Sequence, residues 1–520
     1  MSRELVLYDT TLRDGAQREG LSLSVDDKLK IASWLDILGV DYIEGGWPGA
    51  NPKDIEFFKR AKDLTLTNAR LACFGSTRRP KGDTASDPVL GELLASEAPT
   101  CTLVAKAHPL HVTEALGTTL DENLAMIRDS VALLVAEGRE VFLDAEHFFD
   151  GFQADQAYAM AVLAAARDAG ASCVVLCDTN GGTMPQRVVE IVCAVADGSS
   201  APFGVHFHND VGCAVANSLL AVTEGATHVQ GAINGIGERT GNANLLTIAA
   251  DLCLKMGIEA LPAERLERLT EVHHAVAELC NMAPDPHQPY VGSSAFATKA
   301  GLHTSGNQKL AGAYEHVDPA AVGNVARLLV SELSGRSTIL LKAAEVGIDL
   351  EGATADTILR KIKDLEHVGY HFEAADASLE LLMRREAGAE RLYFTLESFR
   401  TIVEKREDGR LVSEATVKIH AGGERVIATE EGNGPVNALD RALRTALATT
   451  YPQLSSIELT DYKVRILDES AGTDAVTRVL LESKDGQREW TTIGVSPNII
   501  EASWEALVDS LTYGLDHADG

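Results

Sequence analysis

From residue 5 to about residue 255 the chain repeats one alternation of hydrophobic patterns. Short apolar runs occupy 5–8, 42–44, 71–74, 100–106, 140–143, 172–176, 203–207 and 228–232. Runs of that length, bounded by polar turns, read as strands. Between them lie amphipathic stretches with helical spacing, among them 26–38, 120–136, 155–169, 186–196 and 214–224. Eight strands alternating with helices over about 250 residues match a (β/α)8 TIM barrel in number and size. A doubly wound open sheet is the alternative. It usually carries fewer parallel strands and a glycine fingerprint after the first. Here the first strand runs into Thr10-Thr11-Leu12-Arg13-Asp14-Gly15, which is not that fingerprint. The later Gly235-Ile236-Gly237-Glu238-Arg239-Thr240-Gly241 has the wrong spacing.

The pattern then changes twice. Residues 261–390 are mostly helical, with a loop signal at Pro284-Asp285-Pro286-His287-Gln288-Pro289 and helical stretches at 359–369 and 375–387. Residues 391–515 alternate Val, Ile and Thr over 392–404, 413–421, 424–429, 456–467 and 476–483, with helical patterns at 437–449 and 500–513. Strands and a helix, then strands and a helix, predict a duplicated unit. With no cysteine and no catalytic cluster, it fits a regulatory or dimerisation module. The predicted whole is an α/β chain: a (β/α)8 barrel over 1–260, a helical appendage over 261–390 and a C-terminal α+β domain over 391–515. A length of 520 residues agrees with several domains.

Composition narrows the partners. A formal net charge of −30 argues against nucleic acid and anionic membranes, and its plain reading is a well-solvated surface. The first residues lack the basic and apolar regions of a signal peptide, and no apolar run is long enough to cross a bilayer. The eight cysteines lie between Cys73 and Cys280, with no Cys-x-x-Cys pair. Cys73, Cys173, Cys177, Cys193 and Cys253 sit in apolar runs, where cysteine acts as a small hydrophobe. A reduced cytoplasmic protein is the simplest reading. Cys177 precedes Asp178 and could be reactive, but core filling is the better reading.

The chemistry collects at strand ends, where a barrel of this type places its active residues. Arg13 and Asp14 follow strand one, and Glu146 follows strand five. Asp178, Thr179 and Asn180 follow strand six, and His206 and His208 end strand seven. Asn234, Glu238, Arg239 and Asn242 follow strand eight. A lone strand-end Asp is usually a cap or turn residue. Residues i and i+2 of a strand face one way, however, so His206 and His208 can converge. Two imidazoles with the Asp14 carboxylate make a divalent-metal site with open positions. Glu146, deep in the predicted mouth, reads as an acid/base or supporting group.

The segments 9–17, 204–212 and 235–242 resemble motifs of the acyl-CoA-condensing 2-oxo acid synthases, a metal-dependent barrel family related to hydroxymethylglutaryl-CoA lyase. That family makes isopropylmalate, homocitrate and citramalate. The resemblance continues through Gly301-Leu302-His303-Thr304-Ser305-Gly306, Ser331-Glu332-Leu333-Ser334-Gly335-Arg336-Ser337 and Gly432-Asn433-Gly434-Pro435-Val436. Segments 46–54, 112–116 and 144–151 are most similar to the long citramalate-forming members. One departure is Lys106-Ala107-His108, where such members commonly carry Lys-Ser-Trp.

The resemblance implies condensation of acetyl-CoA with pyruvate, then thioester hydrolysis to (R)-citramalate and CoA, in isoleucine biosynthesis. It implies a manganese, magnesium or zinc ion on Asp14, His206 and His208, with Asn242 completing the shell. Arg13 would stabilise the developing oxyanion. His303 supported by Glu146 would be the base, and Tyr314 a further acid/base group. Thr179 would bind the 2-oxo acid carboxylate, and Gln17 would orient the substrate. Because His303 and Tyr314 lie beyond strand eight, the helical region must reach an active site, its own or that of a partner in a homodimer or higher homo-oligomer. The C-terminal domain resembles an amino-acid-sensing module, with isoleucine the implied effector. The rival readings are a longer 2-oxo acid giving an isopropylmalate or homocitrate product, a lyase of the hydroxymethylglutaryl-CoA type, and a sensor that kept the barrel as scaffold.

Overall fold

The computed structural model describes residues 5–198, 201–299, 306, 309–310, 312–467 and 475–518. It divides into two compact units, 1–296 with 315–326, and 297–314 with 327–520.

The first unit is a closed barrel of eight parallel strands in sequential order. They are β1 (Val6–Asp9), β2 (Tyr42–Gly46), β3 (Arg70–Ser76), β4 (Thr100–Lys106), β5 (Glu140–Glu146), β6 (Cys173–Asp178), β7 (Phe203–Phe207) and β8 (His228–Gly231). Closure comes from β1 pairing with β8, Val6 opposite His228 and Asp9 opposite Gly231. The predicted strands and helices are found with small shifts. The helix predicted at 120–136 spans Leu120–Ala136, capped by the Thr119 side chain, which accepts from the Glu122 amide. Helix Val25–Leu38 starts in a capping box in which Ser24 and Asp27 satisfy each other's amides.

The barrel interior is layered. Tyr8, Tyr42 and Phe142 pack with the His228 ring toward the strands' N-terminal ends. Gly204 admits that ring, since a Cβ there would meet the His228 side chain at 2.8 Å. Above it lies a polar layer from β2, β4, β5, β7 and β8: Glu44, Thr102, Asp144, His206 and Gln230, all buried. Buried polar groups persist only when hydrogen-bonded. Here Tyr8 Oη donates to Glu44 at 2.8 Å and lies 2.7 Å from the Thr102 hydroxyl.

The second unit contains helices Arg336–Glu345, Gly352–His367 and Asp376–Glu386 around Ile358, Ile362, Leu379 and Met383. It also holds the predicted duplication. Three antiparallel strands, Phe394–Lys405, Leu411–Ala421 and Glu424–Gly432, precede helix Pro435–Leu447. Three more, Glu458–Ile466, Thr477–Lys484 and Glu489–Ser496, precede helix Ile499–His517. The two halves share a core in which Leu439 and Leu443 join Trp490, Trp504 and Leu511.

The strand Glu489–Ser496 is absent from the sequence expectation. Gly494 explains this: in a strand pattern it reads as a breaker, yet a Cβ there would meet the Ala502 carbonyl at 1.9 Å. The glycine admits the following helix.

Cys73, Cys173 and Cys177 are buried as expected, whereas Cys193 and Cys253 are partly exposed. Burial raises the Cys177 thiol well above its usual range, which fits core filling rather than reactivity. No described helix is long and apolar enough to cross a membrane.

Candidate metal centre

The C-terminal strand ends of the barrel bring together three donors that sequence separates by almost 200 residues. Asp14 lies in the turn after β1, His206 in β7 and His208 just beyond it. Asp14 Oδ2 is 3.4 Å from His206 Nε2 and 3.7 Å from His208 Nε2. The two Nε2 atoms are 3.3 Å apart, and all three residues are buried. Ligands about 2.1 Å from one ion stand roughly 3.0–3.6 Å apart, so these separations suit a shared divalent cation.

Neighbouring groups prepare that point. Gln230 Nε2 donates to Asp144 Oδ1 at 3.0 Å, which turns Gln230 Oε1 toward His206 Nδ1 at 2.9 Å. Nδ1 therefore carries the proton, and the Nε2 lone pair faces the cluster. Asn242 Nδ2 donates to Asp14 Oδ1 at 3.3 Å and to the Ile236 carbonyl at 3.0 Å. Its Oδ1 is buried and accepts nothing among the described residues, an acceptor that suits a cation. Gly237, at φ +157°, makes room for this side chain, because a Cβ there would lie 2.2 Å from Asn242 Nδ2.

Burial opposes ionisation of Asp14, but Arg13, His206 and His208 outweigh it and hold its carboxyl far below the usual range. Burial also works to lower His206, but Asp14 raises it on balance. Burial and then His206 bring His208 down to about 4, leaving a neutral imidazole at physiological pH. Asp144, buried and near Glu44, is pushed up to about 7.

A cavity of about 480 Å3 opens above the donors, lined by Arg13, Asp14, Gln17, Glu146, Thr179 and His208 among others. Arg13 Nη1 is 3.2 Å from Asp14 Oδ2, its Nε is paired with Glu44, and its guanidinium lies 3.9 Å above the Phe74 ring. Thr179 Oγ1 accepts the His147 amide at 2.9 Å, which leaves its O–H free to donate into the cavity. Glu146 is ion-paired with Lys106. His303 lies outside the described residues. Tyr314 belongs to the second unit and is 51% exposed.

Other strand-end residues have protein partners, and Arg239 also lines the cavity. Asp178 accepts from Thr183 Oγ1 at 2.7 Å. Asn234 turns to His273, 2.8 Å from its Nδ1. Arg239 pairs with Asp210 and donates to the Thr179 carbonyl.

Sequence reasoning missed Glu44, Gln230 and Lys106. Glu44 and Gln230 sit inside short strands of otherwise small or apolar residues, and a buried polar residue there is the signal that could have found them.

Comparisons with known proteins agree with this geometry. Residues 4–276 match the HMGL-like family, residues 290–369 the homocitrate synthase post-HMGL domain-like family and residues 373–515 the LeuA allosteric (dimerisation) domain. An (R)-citramalate synthase of Streptomyces coelicolor is 54% identical over 98% of this chain and 96% of its own length. The chain belongs to the (R)-citramalate synthase branch of the HMGL-like family. Further members of that branch are 51% identical in Aquifex aeolicus and 52% in Geobacter sulfurreducens, each over 99% of this chain and 98% of the relative. In this HMGL-like barrel the conjunction of a His-x-His strand end, an acidic first turn and an adjacent arginine was readable from sequence.

The LeuA-like region has its own cavity, about 730 Å3, lined by Asn433, Gly434, Pro435, Asp440, Leu459 and Tyr462 among others. It lies at the start of helix Pro435–Leu447, whose first position is proline.

Proposed function

We propose that the protein condenses acetyl-CoA with pyruvate and hydrolyses the thioester, giving (R)-citramalate and free CoA. Water is the third reactant: the acetyl methyl carbon bonds to the ketone carbon, and the carbon–sulfur bond breaks. The observation that carries this reading is the open-sided donor set Asp14, His206 and His208 with Arg13 at 3.2 Å on the cavity floor. Full-length similarity to (R)-citramalate synthases favours pyruvate as the acceptor.

A divalent ion on Asp14, His206 and His208, with Asn242 beside them, supplies Lewis acidity toward a 2-oxo acid. Manganese, magnesium and zinc all suit this mixed nitrogen and oxygen set. Arg13, held by Glu44, faces the oxygen that gains charge as the new bond forms. Thr179 donates its hydroxyl to the substrate carboxylate, and Gln17 orients the substrate from the cavity wall. His303, supported by Glu146, takes the methyl proton, and Tyr314 serves as the further acid/base group.

In this reading residues 1–260 carry the metal chemistry, 261–390 deliver His303 and Tyr314, and 391–515 regulate. Isoleucine is the effector, held in the cavity at Gly434–Pro435 with its carboxylate at the helix N-terminus. The enzyme acts in the cytoplasm as a homodimer or larger homo-oligomer, with active sites shared between subunits. Mixed His303→Ala and Asp14→Ala proteins then regain activity.

The deciding experiment measures CoA release from acetyl-CoA with a panel of 2-oxo acids, with and without divalent metal. Pyruvate is expected to give the highest kcat/KM. A higher value with 2-oxoisovalerate would make the enzyme an isopropylmalate synthase, and no CoA release with any 2-oxo acid would remove the condensing reading. Calorimetry with isoleucine tests the effector, which is rejected if no heat appears and kinetics are unchanged.

A further inference from the structure

Lys106 has no role in the reaction derived above, yet it lines the same cavity as Arg13, Asp14 and Thr179. It ends β4 and stands in register with Glu146 at the end of β5. The backbone there is secured without its ammonium. The Ala107 amide donates to the Glu146 carbonyl at 3.0 Å, and Asn123 Nδ2 donates to the Lys106 carbonyl at 2.9 Å. Behind it, Gly151 approaches so closely that a Cβ would lie 2.3 Å from the Ala107 carbonyl. These contacts aim the Lys106 side chain, and it meets Glu146 as an ion pair.

Both partners are about a quarter exposed, Lys106 27% and Glu146 24%. The oxygen that Lys106 faces, Glu146 Oε2, is itself buried and has no hydrogen-bond partner among the described residues, so the ammonium is what neutralises it. The strands beneath are already paired without this contact. The nearby imidazoles are otherwise engaged: His111 packs against His108 and His147, and His147 Nδ1 is 3.7 Å from Asp150. Among the described residues, Lys106 is the cation paired with Glu146. It takes Oε2 and leaves Oε1 for the reaction.

We propose that Lys106 is a positioning residue, holding the Glu146 carboxylate by one oxygen so that the other faces the cavity. This inference rests on the condensing reading and adds to it the group that orients Glu146.

The test is steady-state CoA release by the full chain with its metal. Lys106→Ala is expected to lower kcat roughly tenfold or more, a share of what a well-placed acid/base group supplies. It should leave KM for pyruvate within about twofold and the melting temperature unchanged. Lys106→Arg should keep most of the activity. Ethylammonium added to the assay should restore part of kcat to Lys106→Ala and none to Lys106→Ala/Glu146→Gln.

An unchanged kcat in Lys106→Ala overturns the inference, as does equal rescue of the single and double variants. A change confined to KM also overturns it, by assigning Lys106 to substrate binding instead. If the unmodified protein releases no CoA with any 2-oxo acid, the condensing reading itself has failed, and this shows before any variant is made.

Discussion

The barrel and the C-terminal repeats place their polar residues oppositely. In the barrel the middle of the core is polar: Glu44, Asp144, His206 and Gln230 are all buried and joined by hydrogen bonds or ion pairs. In the repeats a strand such as Thr477–Lys484 alternates buried and half-buried positions, and its inward residues include Val479 and Leu481. Burying polar groups costs free energy unless each finds a partner. The barrel carries that cost where metal donors and a cavity sit above it. The repeats bury apolar faces and leave a cavity at a helix start.

The largest test of this contrast removes a donor. His206→Ala is expected to lower CoA release by roughly 1000-fold or more and to abolish tight divalent-metal binding by calorimetry. The isoleucine heat proposed above, read in the same protein, should remain. Loss of that heat would break the separation between the barrel's chemistry and the sensing role proposed for the repeats.

A smaller effect probes the barrel's buried histidine. Burial drives His228 down to about 3, against about 6.5 in an unfolded chain. Its folded pKa is depressed, so the unfolded state binds the extra proton first. The contribution is full above pH 6.5 and is lost as pH falls toward 3, by on the order of 3 kcal/mol between pH 7 and pH 4. Chemical denaturation across that range should show less acid sensitivity in His228→Leu than in the unmodified protein. Equal sensitivity would mean the ring is solvated.

The smallest effect belongs to the repeats. Asn498 caps helix Ile499–His517 through the Ile500 and Glu501 amides. Asn498→Ala should cost about 1 kcal/mol in denaturant unfolding, with metal affinity unaltered. A weakened metal site would show that the repeats are coupled to the barrel.

Individual residues show why some of this was legible. His206 and His208 announce themselves by strand period, because i and i+2 share a face whatever the tertiary structure. Asp14 sits after a strand that counting makes the first of eight. The duplicated repeat is visible from Val, Ile and Thr alternation. Glu489–Ser496 was missed because Gly494 answers to a helix backbone that only packing brings near. Gln230 looks like any polar residue until Asp144 and His206 flank it. Lys106 and Glu146 lie 40 residues apart, and their pairing follows from β4–β5 register.

Local periodicity, turn chemistry and residue type alone determined the strand count, the barrel class, the His-x-His donor pair and the repeat, since each depends on neighbours along the chain. Tertiary structure decided how closely Asp14 approaches the two imidazoles, which His206 nitrogen faces it, and which cation holds Glu146. Those depend on atoms that strand closure and register bring within a few ångströms, and no spacing along the chain encodes them.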